Sequence, residues 1–439
     1  MDYHDSYLQY YRQLPADIQR HKSSGLSVVM GYTSDLDVII EWNSQAFKDI
    51  LSEYLKEEPA LKPGDTIDSM ESFARIVCYY MIHGLGGEID ITNIEVCKFL
   101  ENRFDTSFAL GGTCAQGAAA LNAVGFPVLV HITDRSREVC VQMNGQGLDT
   151  VTDRGRVPIM ESATDAPPVR HMILQYPKGE KINVNGTIYE TPVSNRLIMD
   201  YDTVHKIMPI DKCFLDYCEA NAKRMLVYSI SGFNGIIDRD IMEKKIDEVS
   251  AHYQRVKEQN PGCVIFLEGA HYLSAELKNL VLEKLSRHID IYSMNEEELV
   301  EHTARHGIHT DKDNLSSILG GLEFMLKRYP VKGMVLHTKD YSMYFGDELK
   351  GADFKKGLTL GNLMSATRAR TGRYGTYSDC GDSLSLPLSP SGIAFAEQLK
   401  ALRTGKHVCL VPSRYMEQPK YTIGLGDTFM AGFLTSFVN

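Results

Sequence analysis

One glycine-rich segment near the end of the chain carries the residue types of a phosphate-transfer site. Residues 422–428 read Thr-Ile-Gly-Leu-Gly-Asp-Thr and lead into an apolar run of helical length. Glycines permit a tight turn, and the first turn of a following helix leaves N–H groups unpaired, which suits an anion. Asp427 in this turn could take the proton of an attacking hydroxyl. We therefore predict Asp427 as a general base, with the turn at Gly424 and the N–H groups of Leu425, Gly426 and Asp427 cradling a phosphate.

Gly-x-Gly-Asp is a short pattern that also arises by chance, so other residues must support it. Glu268 ends an apolar strand pattern and would lie at the sheet edge where open α/β folds bind ligands. The acidic residues after Asn295 open a helix, and by themselves they indicate only favourable charge at a helix start. Gly111 and Gly112 precede a helix of small residues, and in isolation they indicate a tight turn.

The elements that must position these residues alternate between short apolar, β-branched runs and amphipathic stretches of helical length. This alternation predicts a doubly wound α/β fold, in which helices flank a mostly parallel sheet. The predicted strands are 26–31, 128–132, 225–231, 263–268, 289–293, 333–338 and 408–412. The predicted helices are 239–259, 274–287, 296–305, 314–328 and 361–371.

Residues 138–202 have a different sequence pattern, in which prolines and polar loops separate short segments of alternating apolar and polar residues. These segments, at 181–184, 187–190 and 197–199, indicate antiparallel strands. Together with the region after Gly31 they predict a smaller β-containing lid domain. We expect the large α/β domain to comprise 1–32, 110–137 and 203–439, and the lid to comprise 33–109 and 138–202.

Composition excludes several classes of protein. The 439 residues are 43% hydrophobic and 23% charged, with a net charge of -11 and no basic block, so we expect no nucleic-acid partner. The nine cysteines form no Cys-x-x-Cys pair, which favours reduced thiols in the cytoplasm over disulfides or a zinc site. The N-terminal residues are polar, and no apolar run approaches the length of a membrane span. We therefore expect a protein that is neither secreted nor associated with a membrane.

Several motifs in chain order resemble those of the ADP-dependent glucokinase/phosphofructokinase family, within the ribokinase-like superfamily. The C-terminal pair, Val-Pro-Ser-Arg at 411–414 and the glycine segment at 422–428, resembles the family's anion-hole region. Asn295-Glu-Glu-Glu298 is similar to the superfamily's N-x-x-E motif, and Phe266-Leu-Glu268 is similar to the family's H-x-E motif. Similar strings also stand at 31–37, 111–121, 195–198, 231–233 and 337–341.

The resemblance implies a sugar kinase with a ribokinase-like fold, which uses ADP or ATP as phosphoryl donor and Mg²⁺ as cofactor. It assigns Glu268 and Glu298 to the metal, mostly through water, and Arg196 to a phosphate. It assigns the sugar or sugar phosphate to Asp35, Asp37, Glu88, Gly111, Gly112 and Thr113. It assigns the nucleotide to Asn295, His337, Thr338, Tyr341, Val411, Pro412 and Gly426, in the large domain. Glu88 could instead be an exposed loop charge.

Three departures from the family pattern bear on the acceptor. Phe266 stands where the family commonly has histidine, Thr33 replaces an asparagine, and Thr113 follows the paired glycines where glutamine is frequent. The identity of the acceptor sugar therefore stays open. The sequence also leaves the oligomeric state open.

Two alternatives to an ADP-dependent enzyme also stay open. One is an ATP-dependent ribokinase-type sugar or nucleoside kinase, and the other is a non-catalytic sugar or nucleotide sensor. A Rossmann dehydrogenase is disfavoured because no strand is followed by G-x-G-x-x-G, and a P-loop kinase is disfavoured because Gly405-Lys406 lacks the rest of that motif.

Overall fold

The structure is a computed structural model that describes residues 3–62 and 64–438, in which seventeen strands and fifteen α-helices are formed. The strands are β1 (Ser27–Gly31), β2 (Asp35–Ile40), β3 (Gly87–Asp90), β4 (Thr106–Gly111), β5 (Val128–Val130), β6 (Leu148–Thr152), β7 (Gly155–Pro158), β8 (Arg170–Tyr176), β9 (Lys181–Val184), β10 (Thr187–Glu190), β11 (Asn195–Tyr201), β12 (Met225–Ile230), β13 (Val264–Glu268), β14 (Ile291–Asn295), β15 (Gly333–His337), β16 (Tyr341–Gly346) and β17 (His407–Pro412). The helices are α1 (Tyr3–Ser24), α2 (Ser44–Tyr54), α3 (Met70–His83), α4 (Ile94–Arg103), α5 (Thr113–Ala123), α6 (Arg137–Gln142), α7 (Lys212–Ala220), α8 (Arg239–Gln259), α9 (Ala275–Leu285), α10 (Glu296–Arg305), α11 (Leu315–Arg328), α12 (Phe354–Thr371), α13 (Tyr377–Ser383), α14 (Pro390–Ala401) and α15 (Leu425–Phe433).

Ten strands form one large sheet in the order β17-β16-β15-β14-β13-β12-β1-β5-β6-β7. The seven strands from β15 to β6 run parallel, and antiparallel strands close both edges. Successive residues of β1 pack into two different cores, with Val28 and Met30 on one face and Val29 on the other. Because both faces are covered, the central strands are continuous apolar runs. The expected α/β class with a doubly wound, mostly parallel sheet is confirmed.

Five further strands form a small mixed sheet in the order β3-β11-β8-β2-β4, and β9 pairs with β10 in a separate hairpin. The short segment 32–34 leads from β1 into β2, and Gly112 leads from β4 into α5. These two connections place the small sheet over the carboxyl edge of the parallel strands, where ligands bind in open α/β folds.

The predicted strands of the large sheet are all present, and the helix predicted at 361–371 is the second half of α12. The segments at 181–184 and 187–190 do form a hairpin. The assignment of all of 138–202 to the lid is wrong, because β6 and β7 extend the large sheet beside β5. Leu148 and Val151 of β6 are buried, and β6 covers the edge of β5.

Two global properties of the described residues bear on the sequence expectations. All nine cysteines are free thiols. No helix among the described residues combines the length and the apolarity needed to cross a membrane.

Candidate active site

Two cavities meet at the N-terminus of α15. The first, here named the inter-sheet cavity, has a volume of about 410 Å³ and lies between the small sheet and the carboxyl edge of the large sheet. The second, here named the α12 cavity, has a volume of about 500 Å³ and is bounded by α12, α15 and residues 413–422. Gly424 and Asp427 line the first cavity, whereas Leu425 and Gly426 line the second. Molecules bound in the two cavities would therefore face each other across one helical turn.

Gly424 begins α15 in a left-handed conformation, with φ of 68°. A Cβ atom at this position would lie 2.2 Å from Gln116 Oε1 and 3.1 Å from Arg368 Nη2, so only glycine fits. No side chain of the described residues caps the helix. The N–H groups of its first turn are therefore free for a ligand, and the helix dipole makes an anion the favoured one.

The carboxyl group of Asp427 is poised to exchange a proton near neutral pH. Burial raises its pKa to about 7, and the nearby carboxylate of Glu268 adds to this effect. The charges of Arg368 and His337 and a hydrogen bond with Thr113 oppose the rise. A carboxyl with a pKa near the working pH is suited to act as a general base.

Strand register places a row of polar residues across the small sheet. His171 of β8 is paired with Asp37 of β2 on one side and with Asp200 of β11 on the other, and Asp200 is paired with Asp90 of β3. Paired residues of neighbouring strands share a face, and these four line the inter-sheet cavity. Burial raises the pKa of Asp200 to about 7 and the pKa of Asp37 well above its usual range. The row offers the closely spaced donors and acceptors that a polyhydroxylated ligand needs.

A network of histidines and carboxylates surrounds His171, the residue in the middle of this row. His171 Nδ1 lies 3.0 Å from Asp35 Oδ1, and His171 Nε2 lies 3.1 Å from Asp202 Oδ2. The same Asp202 oxygen lies 2.6 Å from His205 Nδ1. Burial lowers the pKa of His171, but the carboxylates of Asp35 and Asp200 outweigh it and raise that pKa well above the ordinary value.

Asp35, His171 and His205 are the one group of three potential ligand side chains, among the described residues, that lie close enough together to share a metal ion. Nε2 of His171 forms a hydrogen bond with Asp202, and Nδ1 faces the Asp35 carboxylate, so the network fixes the orientation of the His171 ring.

The α12 cavity contains part of the predicted nucleotide set. Asn295, His337, Thr338 and Gly426 line it. The remaining three residues, Tyr341, Val411 and Pro412, are not among its lining residues; they lie behind it. The Tyr341 ring packs against Phe395 in a tilted arrangement, with 5.3 Å between the ring centroids. The carbonyl oxygens of Val411 and Pro412 accept hydrogen bonds from Asn362 and Tyr7.

Glu268, at the end of β13, and Glu298, in the first turn of α10, lie close enough for their charges to interact. Neither is among the residues that line the two cavities, although the adjacent Gly269 lines the first cavity and Asn295 lines both. Oε1 of Glu268 accepts a hydrogen bond from His337 Nε2 at 3.0 Å, whereas its Oε2 is buried without a partner among the described residues. Glu298 Oε2 accepts from the backbone N–H of Asn295 at 3.1 Å. Burial raises the pKa of Glu298, and Glu268 adds to the rise. A buried carboxylate with an unused oxygen, Glu268, beside the half-buried carboxylate of Glu298 fits a hard divalent cation such as Mg²⁺.

The departures from the expected motifs have distinct structural roles. The Phe266 ring lies 5.6 Å from Phe433, so this position supports the core beneath α15. Thr33 lines the inter-sheet cavity, and Thr113 also lines it and contacts the Asp427 carboxylate. Two of the three substitutions therefore lie in the inter-sheet cavity.

The structure brings most of the predicted residues together. Asp35, Asp37, Glu88, Gly111, Gly112, Thr113 and Arg196 all line the inter-sheet cavity. The sequence did not single out His171, Asp200, Asp202, His205, Gln116 or Arg368. The two Asp-x-Asp pairs, at 35–37 and at 200–202, were the available signal, because alternate strand residues share a face.

Residues 26–436 match the conserved region of the ADP-specific phosphofructokinase/glucokinase family. The chain belongs to that family. An ADP-specific phosphofructokinase from Pyrococcus abyssi is 23% identical over 94% of this chain and 98% of its own length. An ADP-dependent glucose/glucosamine kinase from Pyrococcus furiosus is 20% identical over 91% of this chain and 92% of its own length.

Solved structures share the fold of this family member. The structure of the last common ancestor of ADP-dependent phosphofructokinases from Methanosarcinales aligns with a TM-score of 0.80 at 18% identity. The alignment covers 100% of this chain and 99% of that chain. An ADP-dependent kinase in complex with fructose-6-phosphate and ADPβS aligns with a TM-score of 0.76 at 18% identity, also over 100% and 99% of the two chains. The family expected from the sequence is confirmed.

The hydrogen-bond network predicts that His171 and His205 stay protonated to higher pH than an ordinary histidine, since carboxylates raise the pKa of both against the effect of burial. Burial lowers the pKa of His131 and His302 to about 4, so these two serve as internal controls that stay neutral at pH 6. Imidazole ¹⁵N spectra recorded from pH 5 to 9 measure both groups. Asp202→Asn should lower the pKa of His171. Titration of wild-type His171 at the free value of about 6.5 would contradict the network.

Proposed function

We propose that this protein is a kinase that transfers the β-phosphoryl group of ADP to a hydroxyl of a sugar or sugar phosphate. The observation that carries the proposal is the position of the α15 N-terminus between two cavities. Asp427 faces the inter-sheet cavity, with its row of hydroxyl-binding groups, and Gly426 faces the α12 cavity. A free helix N-terminus between an acceptor and a donor is the arrangement that phosphoryl transfer requires.

The acceptor sits in the inter-sheet cavity in this proposal. Asp37, His171 and Asp200 hold its hydroxyl groups from the small sheet, and Glu88 adds a carboxylate at the cavity wall. Gly111 and Gly112 approach from the other side. A Cβ at Gly111 would lie 1.8 Å from Asp35 Oδ1, so glycine keeps this carboxylate within reach of the ligand. Arg196, exposed on β11 at the cavity rim, binds either the transferred phosphoryl group or a phosphate of the acceptor.

The nucleotide sits in the α12 cavity, with its phosphates toward the N-terminus of α15. His337 and Thr338, at the end of β15, contact it together with Asn295 at the end of β14. Tyr341, Val411 and Pro412 support this wall from behind. The position of this cavity at the carboxyl ends of parallel strands is the usual nucleotide position in open α/β sheets.

The reaction begins when Asp427 accepts the proton of the acceptor hydroxyl. The hydroxyl oxygen then attacks the β-phosphorus, the bond from that phosphorus to the bridging oxygen breaks, and AMP leaves. The N–H groups of Leu425, Gly426 and Asp427 stabilise the charge on the transferred phosphoryl oxygens. Glu268 and Glu298 would hold Mg²⁺, which when bound neutralises phosphate charge.

We also propose that the small sheet and helices α2–α4 form a lid domain over the large domain, because they enclose the inter-sheet cavity from one side. Lid closure over both substrates would exclude water and protect ADP from hydrolysis. The free thiols favour a reducing compartment, so we place the enzyme in the cytoplasm.

Assays of purified protein with ADP and with ATP, against free sugars and sugar phosphates, test the proposal. We expect turnover with ADP and at least one of these acceptors. Product analysis should show AMP and a new phosphate ester. Turnover with ATP alone would replace the donor assignment, and binding of a sugar without turnover under any condition would favour a sensor.

Asp427→Asn should lower kcat by about 10²–10⁴ because the variant cannot accept the hydroxyl proton. In the wild type, kcat/KM should fall as pH drops below about 7, since burial raises the pKa of Asp427 to about 7 and only the carboxylate is a base. ADP binding, measured by calorimetry, should persist in the variant. Retention of wild-type turnover in a preparation free of wild-type enzyme would refute the assignment.

Glu298→Gln and Glu268→Gln should each raise the Mg²⁺ concentration that gives half-maximal rate, because each removes one buried negative charge near the proposed cation position. Glu297→Gln is the matched control: this neighbour on α10 is exposed and pairs with Lys312 instead. If Glu298 only complements the α10 dipole, its variant lowers the melting temperature and leaves the Mg²⁺ titration as in wild type.

A further inference from the structure

Arg368, near the C-terminal end of α12, is a buried cation with no counter-ion in contact among the described residues. Its side chain is 3% exposed, and its Cζ lies 4.2 Å from the ring centroid of Tyr374 and 5.0 Å from that of Tyr421. Arg370 and Arg373 nearby each pair with a carboxylate, whereas no carboxylate of the described residues lies at ion-pair distance from Arg368. An unpaired buried charge lowers stability, so its retention calls for another role.

The hydrogen bonds of Arg368 lead to the turn that begins α15. Its Nε donates to the Ile423 carbonyl oxygen at 2.9 Å, and its Nη2 donates to Gln116 Oε1 at 3.1 Å. Gln116 Oε1 also accepts from the Tyr374 hydroxyl at 3.3 Å. Gln116 Oε1 and Arg368 Nη2 are the atoms that a Cβ at Gly424 would meet. The guanidinium therefore holds Ile423, the residue before Gly424, and it also holds the side chain of Gln116, which lines the inter-sheet cavity.

We propose that Arg368 is a positioning residue for phosphoryl transfer, which fixes the turn at Gly424 and supplies a positive charge beside Asp427. It lines neither of the two cavities described above, so it acts through the turn and through its field, without touching the reacting atoms. This inference rests on the proposed kinase function.

The charges around Asp427 show why this cation matters. The groups that act on the Asp427 carboxyl come from both sheets and from two helices. They are Asp37 of β2, Thr113 and Cys114 of α5, Glu268 of β13, His337 of β15, Arg368 of α12 and Tyr374 just after α12. Burial and the carboxylates favour the protonated acid, which cannot act as a base. The guanidinium of Arg368 opposes them from a buried position where solvent screens its charge little.

Three variants separate the positioning role from the charge. Arg368→Met removes both, so kcat should fall about 10²-fold. The acid limb, which is the low-pH side of the plot of kcat/KM against pH, should move up by about one pH unit. Arg368→Lys keeps a cation without the two directed hydrogen bonds, so kcat should fall while the acid limb stays near its wild-type position. Gln116→Met loosens the turn with the charge intact and should also leave the acid limb in place.

Arg370→Met is the matched control on the same helix. Arg370 donates to Ser383 Oγ at 3.0 Å and to the Asp379 carbonyl oxygen at 2.9 Å, away from α15. This variant should lower the melting temperature and leave both kcat and the acid limb as in wild type. A loss of kcat in Arg368→Met that is matched by Arg370→Met, with no movement of the acid limb, would show that Arg368 is only structural.

A readout without turnover keeps this inference distinct from the proposed function. Carboxyl ¹³C titration of aspartate-labelled protein reports the pKa of Asp427, whose signal is assigned by its absence from Asp427→Asn. The pKa should rise in Arg368→Met and stay in place in Arg370→Met, whether or not an acceptor has been found. An unchanged Asp427 titration in Arg368→Met overturns the electrostatic role, whereas an inactive wild type with the expected titration shift overturns only the kinase assignment.

Discussion

The position of α15 is fixed by contacts that leave no room for a side chain. A Cβ at Gly432 would lie 2.5 Å from the Cα of Gly361 on α12, and a Cβ at Gly117 on α5 would lie 2.5 Å from the Met430 side chain. Helices that pack this closely cannot shift without losing dispersion contacts along their whole length. The first turn of α15 is thereby held where the two cavities meet. The proposed phosphate cradle, the proposed base and the proposed separation of the two substrates all depend on this packing.

Electrostatics imposes a second constraint on the same turn. Carboxylates gather around it from both sheets. In the proposed function they hold hydroxyl groups and a divalent cation. Each added carboxylate makes ionisation of Asp427 harder, and His337 and Arg368 offset this effect with positive charge. In the small sheet the same balance is reached differently, since His171 lies between Asp35 and Asp202 and neutralises part of their charge.

The differences from the family pattern are concentrated at the acceptor end. Thr33 and Thr113 line the inter-sheet cavity, whereas Phe266 packs beneath α15 without reaching a cavity wall. Solved structures at 18% identity share the fold of this chain. The groups that would hold the nucleotide come from strand ends of the large sheet. In the proposed function the acceptor is bound by the small sheet, whose residues can change without disturbing the parallel core.

The sequence alone determined the parallel strands, the glycine turn and Asp427, because continuous apolar runs and a Gly-x-Gly-Asp segment are local signals that need no partner strand. It also placed Glu268 and Asn295 at strand ends, which share one edge in any parallel sheet. It missed most of the other elements, namely α1 to α4, α6, α7, α13, α14, β2 to β4, β8 and the edge strand β16, and it assigned the residues of β6 and β7 to the lid. Only the tertiary structure joined Asp37, His171 and Asp200 in one row and brought Arg368 to the turn at Gly424. Strand register and helix packing decide such contacts, and both depend on residues distant in the chain, which a local pattern does not encode.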